Sequence, residues 1–118
     1  MTRDINPSVH IHEANASPAH LAEICAGLEE EGIPCTIISA TGDAKTLAIE
    51  AANNSKLRVG IGITANDALL QMRNCPIDIP LEETNPTLYV NLESNEATRK
   101  LRALGTNAAR AIKGGIFI

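Results

Sequence analysis

Leu57-Arg58-Val59-Gly60-Ile61-Gly62-Ile63 decides the fold. From Val59 to Ile63 every residue is apolar or glycine, without the alternation of a strand that keeps one face in water. Such a run belongs to a central strand covered on both faces, so the flanking chain must supply neighbouring strands and helices.

Upstream it does so twice. Asp43 is placed to cap a helix running to about Asn54, whose Ala48, Ala51 and Ala52 allow close approach to a sheet. Before it, Cys35 to Ser39 is rich in β-branched residues and predicts a strand. Ser17 followed by Pro18 opens an earlier helix, along which Leu21, Ile24, Cys25 and Leu28 recur at helical spacing and after which Gly32 can end the helix. Val9-His10-Ile11-His12 alternates as a half-buried first strand. The opening is therefore βαβαβ.

Downstream, Ala65-Asn66-Asp67 predicts a tight turn into a returning strand over 68–72, with a short helix as the alternative. Residues 74–86 carry three of the six prolines and predict a surface loop, leading to a short strand at Leu88-Tyr89-Val90. From Ser94 to Lys113, Ala97, Leu101, Leu104, Ala108 and Ile112 line one helix face, and Gly114-Gly115 ends it. No repeat or linker divides residues 1–118, so one α/β domain is expected, a single-layer, mostly parallel sheet with helices packed on it.

Composition narrows the function. The 118 residues are 44% hydrophobic and carry a net charge of -4, which argues against a phosphate-backbone binder. Tyr89 and Phe117 are the two aromatic residues, too few for a base-stacking platform. Residues 1–56 hold eight Asp/Glu against three Lys/Arg, so the acidity lies in the first half. Cys25, Cys35 and Cys75 form no CxxC pair and fit a reduced intracellular protein better than a disulfide framework. The first residues hold no apolar core of signal-peptide length, and no run approaches a membrane span, so a cytoplasmic location is expected.

Several residues are candidates for chemistry. Gly60-Ile61-Gly62-Ile63-Thr64-Ala65 superficially matches a dinucleotide fingerprint, but its glycines lie inside the strand and no long amphipathic helix follows, so ordinary strand glycines are the better reading. There is no phosphate-binding P-loop, which argues against intrinsic ATPase chemistry. His10 and His12 share a strand face but have no obvious third metal ligand, so solvent-facing histidines are favoured. His20 has no nucleophile near it in sequence, and Cys25 on an apolar helix face reads as a small hydrophobe.

Glu29, Glu30 and Glu31 stand in the last turn of the first helix, where unpaired carbonyls already disfavour anions, so they invite a cationic partner. On a helical wheel centred on Leu21, Ile24, Cys25 and Leu28, Glu30 points most directly away from the apolar face, with Glu29 and Glu31 flanking it. On the residues alone, a solvated acidic helix end is favoured over a cation site, because one carboxylate cannot hold a hard cation tightly.

Three blocks, Gly27-Leu28-Glu29-Glu30-Glu31-Gly32-Ile33-Pro34, Leu57-Arg58-Val59-Gly60-Ile61 and Gly105-Thr106-Asn107-Ala108-Ala109-Arg110-Ala111-Ile112-Lys113-Gly114, together resemble the small subunit of glycerol/diol (propanediol) dehydratase reactivating factors. The likeness spans nearly the whole chain, and the first and third blocks are its specific parts. Departures are His10 and His12, where relatives are more apolar, and Gly114-Gly115-Ile116-Phe117, where relatives tend to have Gly-Ile-Pro-Phe.

The resemblance implies a non-enzyme with no catalytic or cofactor-binding residues of its own and the dehydratase medium-subunit (anticodon-binding-like) fold. Such a subunit works with a large ATPase subunit of the heat-shock-chaperone type, in a heterotetramer. By exchanging with a dehydratase subunit it lets damaged cobalamin leave an adenosylcobalamin-dependent dehydratase, which it meets only indirectly. ATP belongs to the large subunit. Mg²⁺ is shared at the contact between subunits, and the ligand this chain would supply there is Glu30. The resemblance leaves open a homo-oligomer when the chain is isolated, and is compatible with a cytoplasmic place in association with a bacterial microcompartment. Two rivals stand beside it. One is a structural or cobalamin-holding subunit of the dehydratase itself. The other is a nucleic-acid module on the same kind of fold, disfavoured by acidity and few aromatics.

Overall fold

The computed structural model describes residues 7–72 and 89–113. The expected proline-rich loop over 74–86 and the stop at Gly114-Gly115 lie outside these residues, as does Cys75. In chain order the elements are β1 (Val9–Ala14), α1 (Pro18–Glu30), β2 (Cys35–Ser39), α2 (Ala44–Asn54), β3 (Val59–Thr64), β4 (Asp67–Met72), β5 (Tyr89–Asn91) and α3 (Ala97–Lys113).

The strands form one sheet in the order β2-β1-β3-β4-β5. β1 pairs in parallel with β2 and β3, while β4 is antiparallel to both β3 and β5. Four strands therefore point one way and β4 alone is reversed, which makes the sheet mostly parallel, as expected. The returning strand over 68–72 is β4 and not a short helix. Its turn is held by Thr64, whose Oγ1 accepts the amide hydrogens of Asn66 at 3.1 Å and Asp67 at 3.2 Å.

The chain steps from β1 to β2 in one direction and then back across β1 to β3, so right-handed crossovers place α1 and α2 on opposite faces. Alternate residues divide accordingly. Val9, Ile11, Val59, Ile61, Ile63, Ala68 and Leu70 pack with Ile24 and Leu28 of α1 and with Leu101, Leu104 and Ala108 of α3. On the other face Ala44 and Ala48 of α2 pack on Leu69, with Tyr89 against them.

Local signals explain the element ends. Ser17 Oγ accepts the His20 amide hydrogen at 3.1 Å with Pro18 in the first helical turn, and Asp43 Oδ1 accepts that of Thr46 at 2.8 Å. Those Thr46 hydrogen bonds hold the Asp43 carboxyl below its ordinary range. At the end of α1, Gly32 takes φ +77°, and the amides of Gly32 and Ile33 donate back to the Glu29 and Leu28 carbonyls, each at 3.0 Å. This left-handed glycine closure satisfies two of the orphan carbonyls at the helix end. α3 starts later than expected, at Ala97 and not Ser94, because Asn91 and Ser94 side chains accept the amides of Glu93 and Glu96 and hold the chain in turns.

Two pairs of glycines set how closely the layers approach. Side-chain carbons added at Gly60 and Gly62 would lie 2.2 Å from the Ala52 amide and the Ala44 carbonyl of α2. The helix thus occupies the space a pyrophosphate would need, and the glycines serve packing, as ordinary strand glycines. Across the other face, a carbon added at Gly27 would lie 2.3 Å from the Arg102 carbonyl, and one at Gly105 would lie 2.3 Å from that of Ile24. α1 and α3 therefore cross with backbone against backbone.

Candidate functional site: the carboxylates at the end of α1

That crossing builds the site. Arg102, one turn from Gly105 on α3, reaches over Gly27 to α1. Its Nε donates to Glu23 Oε1 at 3.0 Å and its Nη1 to Glu30 Oε2 at 2.9 Å. Glu23, Gly27 and Glu30 stand at i, i+4 and i+7, so they share the side of α1 turned to α3. The wheel drawn from Leu21, Ile24, Cys25 and Leu28 left Gly27 out, because glycine has no apolar side chain to count. The structure therefore corrects one expectation: Glu30 is exposed but leans toward α3. The cationic partner that the acidic helix end invites is present within the chain, 72 residues later.

The clamp is weak by construction. The side chains of Arg102 and Glu30 are 42% and 58% exposed. An ion pair this open to water contributes about 0–1 kcal/mol, so a stronger partner can take Glu30 from Arg102 at small cost. Glu29 is exposed and Glu31 half-buried at the helix cap. Among the described residues no group of three or more His, Cys, Asp or Glu side chains gathers to hold a metal ion. The described residues thus offer a cation at Glu30 no ready-made cage of such side chains, and water can fill much of the shell of an ion such as Mg²⁺.

His10 and His12 are placed differently from the expectation. β1 is the second strand of the sheet, with neighbours on both sides and helices on both faces, so its polar alternation does not mark solvent. His12 is 4% exposed, opposite Gly62 in register on the α2 face, and neither ring nitrogen has a hydrogen-bond partner. Burial lowers its pKa, opposed in part by the Glu50 carboxylate. His10 is half-buried with its ring centroid 6.1 Å from that of His12. His20 sits half-buried in the first turn of α1. Cys25 is half-buried beside Cys35, a proximity the sequence spacing did not announce.

A further cleft of about 580 Å³ opens at the carboxyl ends of β1 and β3, next to the start of α2. Three polar side chains at its edge, Asp43, Thr64 and Asp67, are engaged in the fold. Asp43 caps α2, and Asp67 accepts from the Tyr89 hydroxyl at 3.2 Å and pairs with Thr64 Oγ1 at 2.8 Å.

A sheet of this order, with the two-helix crossing on one face, can be compared with known proteins. A family model described as the dehydratase medium subunit matches residues 6–117. The chain belongs to the dehydratase medium-subunit family. It is 34% identical to a Citrobacter freundii protein named "Probable glycerol dehydratase-reactivating factor small subunit", over 92% of this chain and 90% of that one. It is 31% identical to the propanediol dehydratase-reactivating factor small subunit of Salmonella typhimurium, over 92% and 87%. A solved glycerol dehydratase reactivase chain superposes with a TM-score of 0.81 at 32% identity, covering 95% of this chain and 96% of that one. A chain from a diol dehydratase-reactivating factor complexed with ADP and Mg²⁺ gives 0.79 at 28% identity, covering 95% and 97%. The two solved chains share the mixed five-stranded sheet with helices packed on it, and the names of these relatives place them in dehydratase reactivation. No helix among the described residues is long and apolar enough to cross a membrane.

Proposed function

We propose that this chain is the small, non-catalytic subunit of a reactivating factor that, with an ATPase large subunit, releases damaged cobalamin from an adenosylcobalamin-dependent glycerol or diol dehydratase by subunit exchange. The observation that carries this reading is the end-to-end likeness to proteins named as such small subunits, in sequence and in backbone. In this reading Glu30 leaves Arg102 on docking and becomes one ligand of a Mg²⁺ ion whose other ligands come from the large subunit and water. The solved relative complexed with ADP and Mg²⁺ supports a nucleotide and a cation in the assembly, and in this reading the large chain is the one that holds ATP. The open, weakly held position of Glu30 suits such an exchange.

The test is to co-purify the chain with the large subunit and measure ATP-dependent recovery of glycerol- or cobalamin-inactivated dehydratase. Complex formation with recovery is expected, and absence of both sinks the reading. For the site, Glu30→Ala should weaken assembly in Mg²⁺ more than Glu29→Ala or Glu31→Ala does, and the reverse ranking would move the contact elsewhere. A second reading follows from the family's own description: a structural subunit of the dehydratase that helps hold cobalamin. It predicts adenosylcobalamin-dependent turnover on adding the chain to the other dehydratase subunits, without ATP.

A further inference from the structure

Cys25, on α1, and Cys35, the first residue of β2, stand on either side of the turn that closes the helix, with their Sγ atoms 2.9 Å apart. A disulfide bond is about 2.05 Å long, so closing it needs under about 1 Å of movement. Both side chains are half-buried, packed against the main core yet within reach of a small molecule. The two elements that carry them are fixed independently, α1 by its crossing with α3 and β2 by its pairing with β1. The fold therefore holds two free thiols in contact.

We propose that Cys25 and Cys35 form a reversible disulfide when the chain meets a low-molecular-weight disulfide such as glutathione disulfide, stapling the end of α1 to the start of β2. In the first step the Cys25 thiolate attacks one sulfur of glutathione disulfide, whose S–S bond breaks and releases one glutathione thiolate. In the second step the Cys35 thiol gives its proton to solvent and attacks Cys25 Sγ, expelling the second glutathione. Two cysteine thiols are oxidised, one glutathione disulfide is reduced to two thiols, and the two protons end on the released glutathiones. Cys25 goes first because burial and the Cys25 contact push the Cys35 thiol up to about 12, leaving little of it as thiolate. Once the mixed disulfide forms, Cys35 needs no diffusion to reach its target, and the small effective ring favours the second step. The staple closes the loop that carries Glu29, Glu30 and Glu31, so it raises the stability of that turn without entering the ion pair of Arg102.

The experiment uses the full chain carrying Cys75→Ser, so that the pair alone remains, equilibrated with glutathione disulfide and reduced glutathione at mildly alkaline pH. The expected product is a monomer lighter by two hydrogens, in which cleavage after Glu29–Glu31 leaves two peptides joined until reductant is added. Closing a loop of this length should raise the melting midpoint by about 10 °C, and that rise should vanish in a chain also carrying Cys25→Ser. Stable glutathione adducts on both cysteines, or bonds only between chains, would overturn the proposal. So would a melting midpoint that falls on oxidation, which would mean that the native geometry does not accept the bond.

Discussion

Arg102 is the residue on which the site turns, because one guanidinium serves Glu23 and Glu30 at once. Its positive charge already engages Glu30, so in the proposed assembly it would compete with a shared cation for that carboxylate. Arg102→Met should therefore leave the stability of the isolated chain within about 1 kcal/mol of the parent, since both pairs are partly open to water. Assembly with the large subunit should shift to lower Mg²⁺ concentration. The measurement is a Mg²⁺ titration of complex formation followed by sedimentation. A loss of assembly as large as that from Glu30→Ala would make Arg102 a docking residue instead of a competitor. Glu30 itself stood out in the sequence through the family resemblance and the local run of carboxylates. Its partner did not, because nothing local links positions separated by 72 residues before the helices are known to cross.

Elements meet here through glycine, and the cost of adding one carbon depends on what it meets. At Gly27 and Gly105 it meets the backbone of the opposite helix at 2.3 Å, and backbone cannot rotate aside. Gly27→Ala and Gly105→Ala should each force α1 and α3 apart and destabilise the chain by about 1–3 kcal/mol or more. Gly32→Ala is the contrast, since nothing lies within 4 Å of the added carbon and only the positive φ is strained. Its effect should be near 1 kcal/mol. Urea denaturation of the three variants checks the ranking, and a neutral Gly105→Ala would show that the crossing is not fixed by close approach. The helices were legible from caps and apolar spacing at Ser17, Asp43 and Leu101. Their crossing was not, because apolar periodicity records side chains and the contact is made where there are none.

At the scale of the whole molecule, the continuous apolar run at Val59–Ile63 was enough to announce a strand covered on both faces, but the order β2-β1-β3-β4-β5 was not legible, because right-handed crossovers fix the face each helix takes only once the strand order is known. β1 is the contrast: the alternation at His10 and His12 has the form of a wet face, although β1 lies between β2 and β3 under α2. That placement has a consequence for acid stability. Folding keeps His12 neutral, because burial removes the water that would solvate its charged form, and the Glu50 carboxylate offsets this only in part. Its folded pKa is thus depressed below the unfolded value of about 6.5. Below that pH the unfolded chain takes up a proton that the folded chain refuses, so stability falls on acidification. The loss steepens to at most about 1.4 kcal/mol per pH unit for one proton and ends below the folded pKa, where both states are charged. Above the unfolded value the residue contributes no pH dependence. Urea midpoints of the parent and His12→Leu between pH 7.5 and 5.5 isolate this contribution, since carboxylates titrate mainly below that window. The parent should lose stability across it and the variant should lose distinctly less. Equal slopes would mean that His12 takes up its proton within the fold, and that α2 moves to let water in.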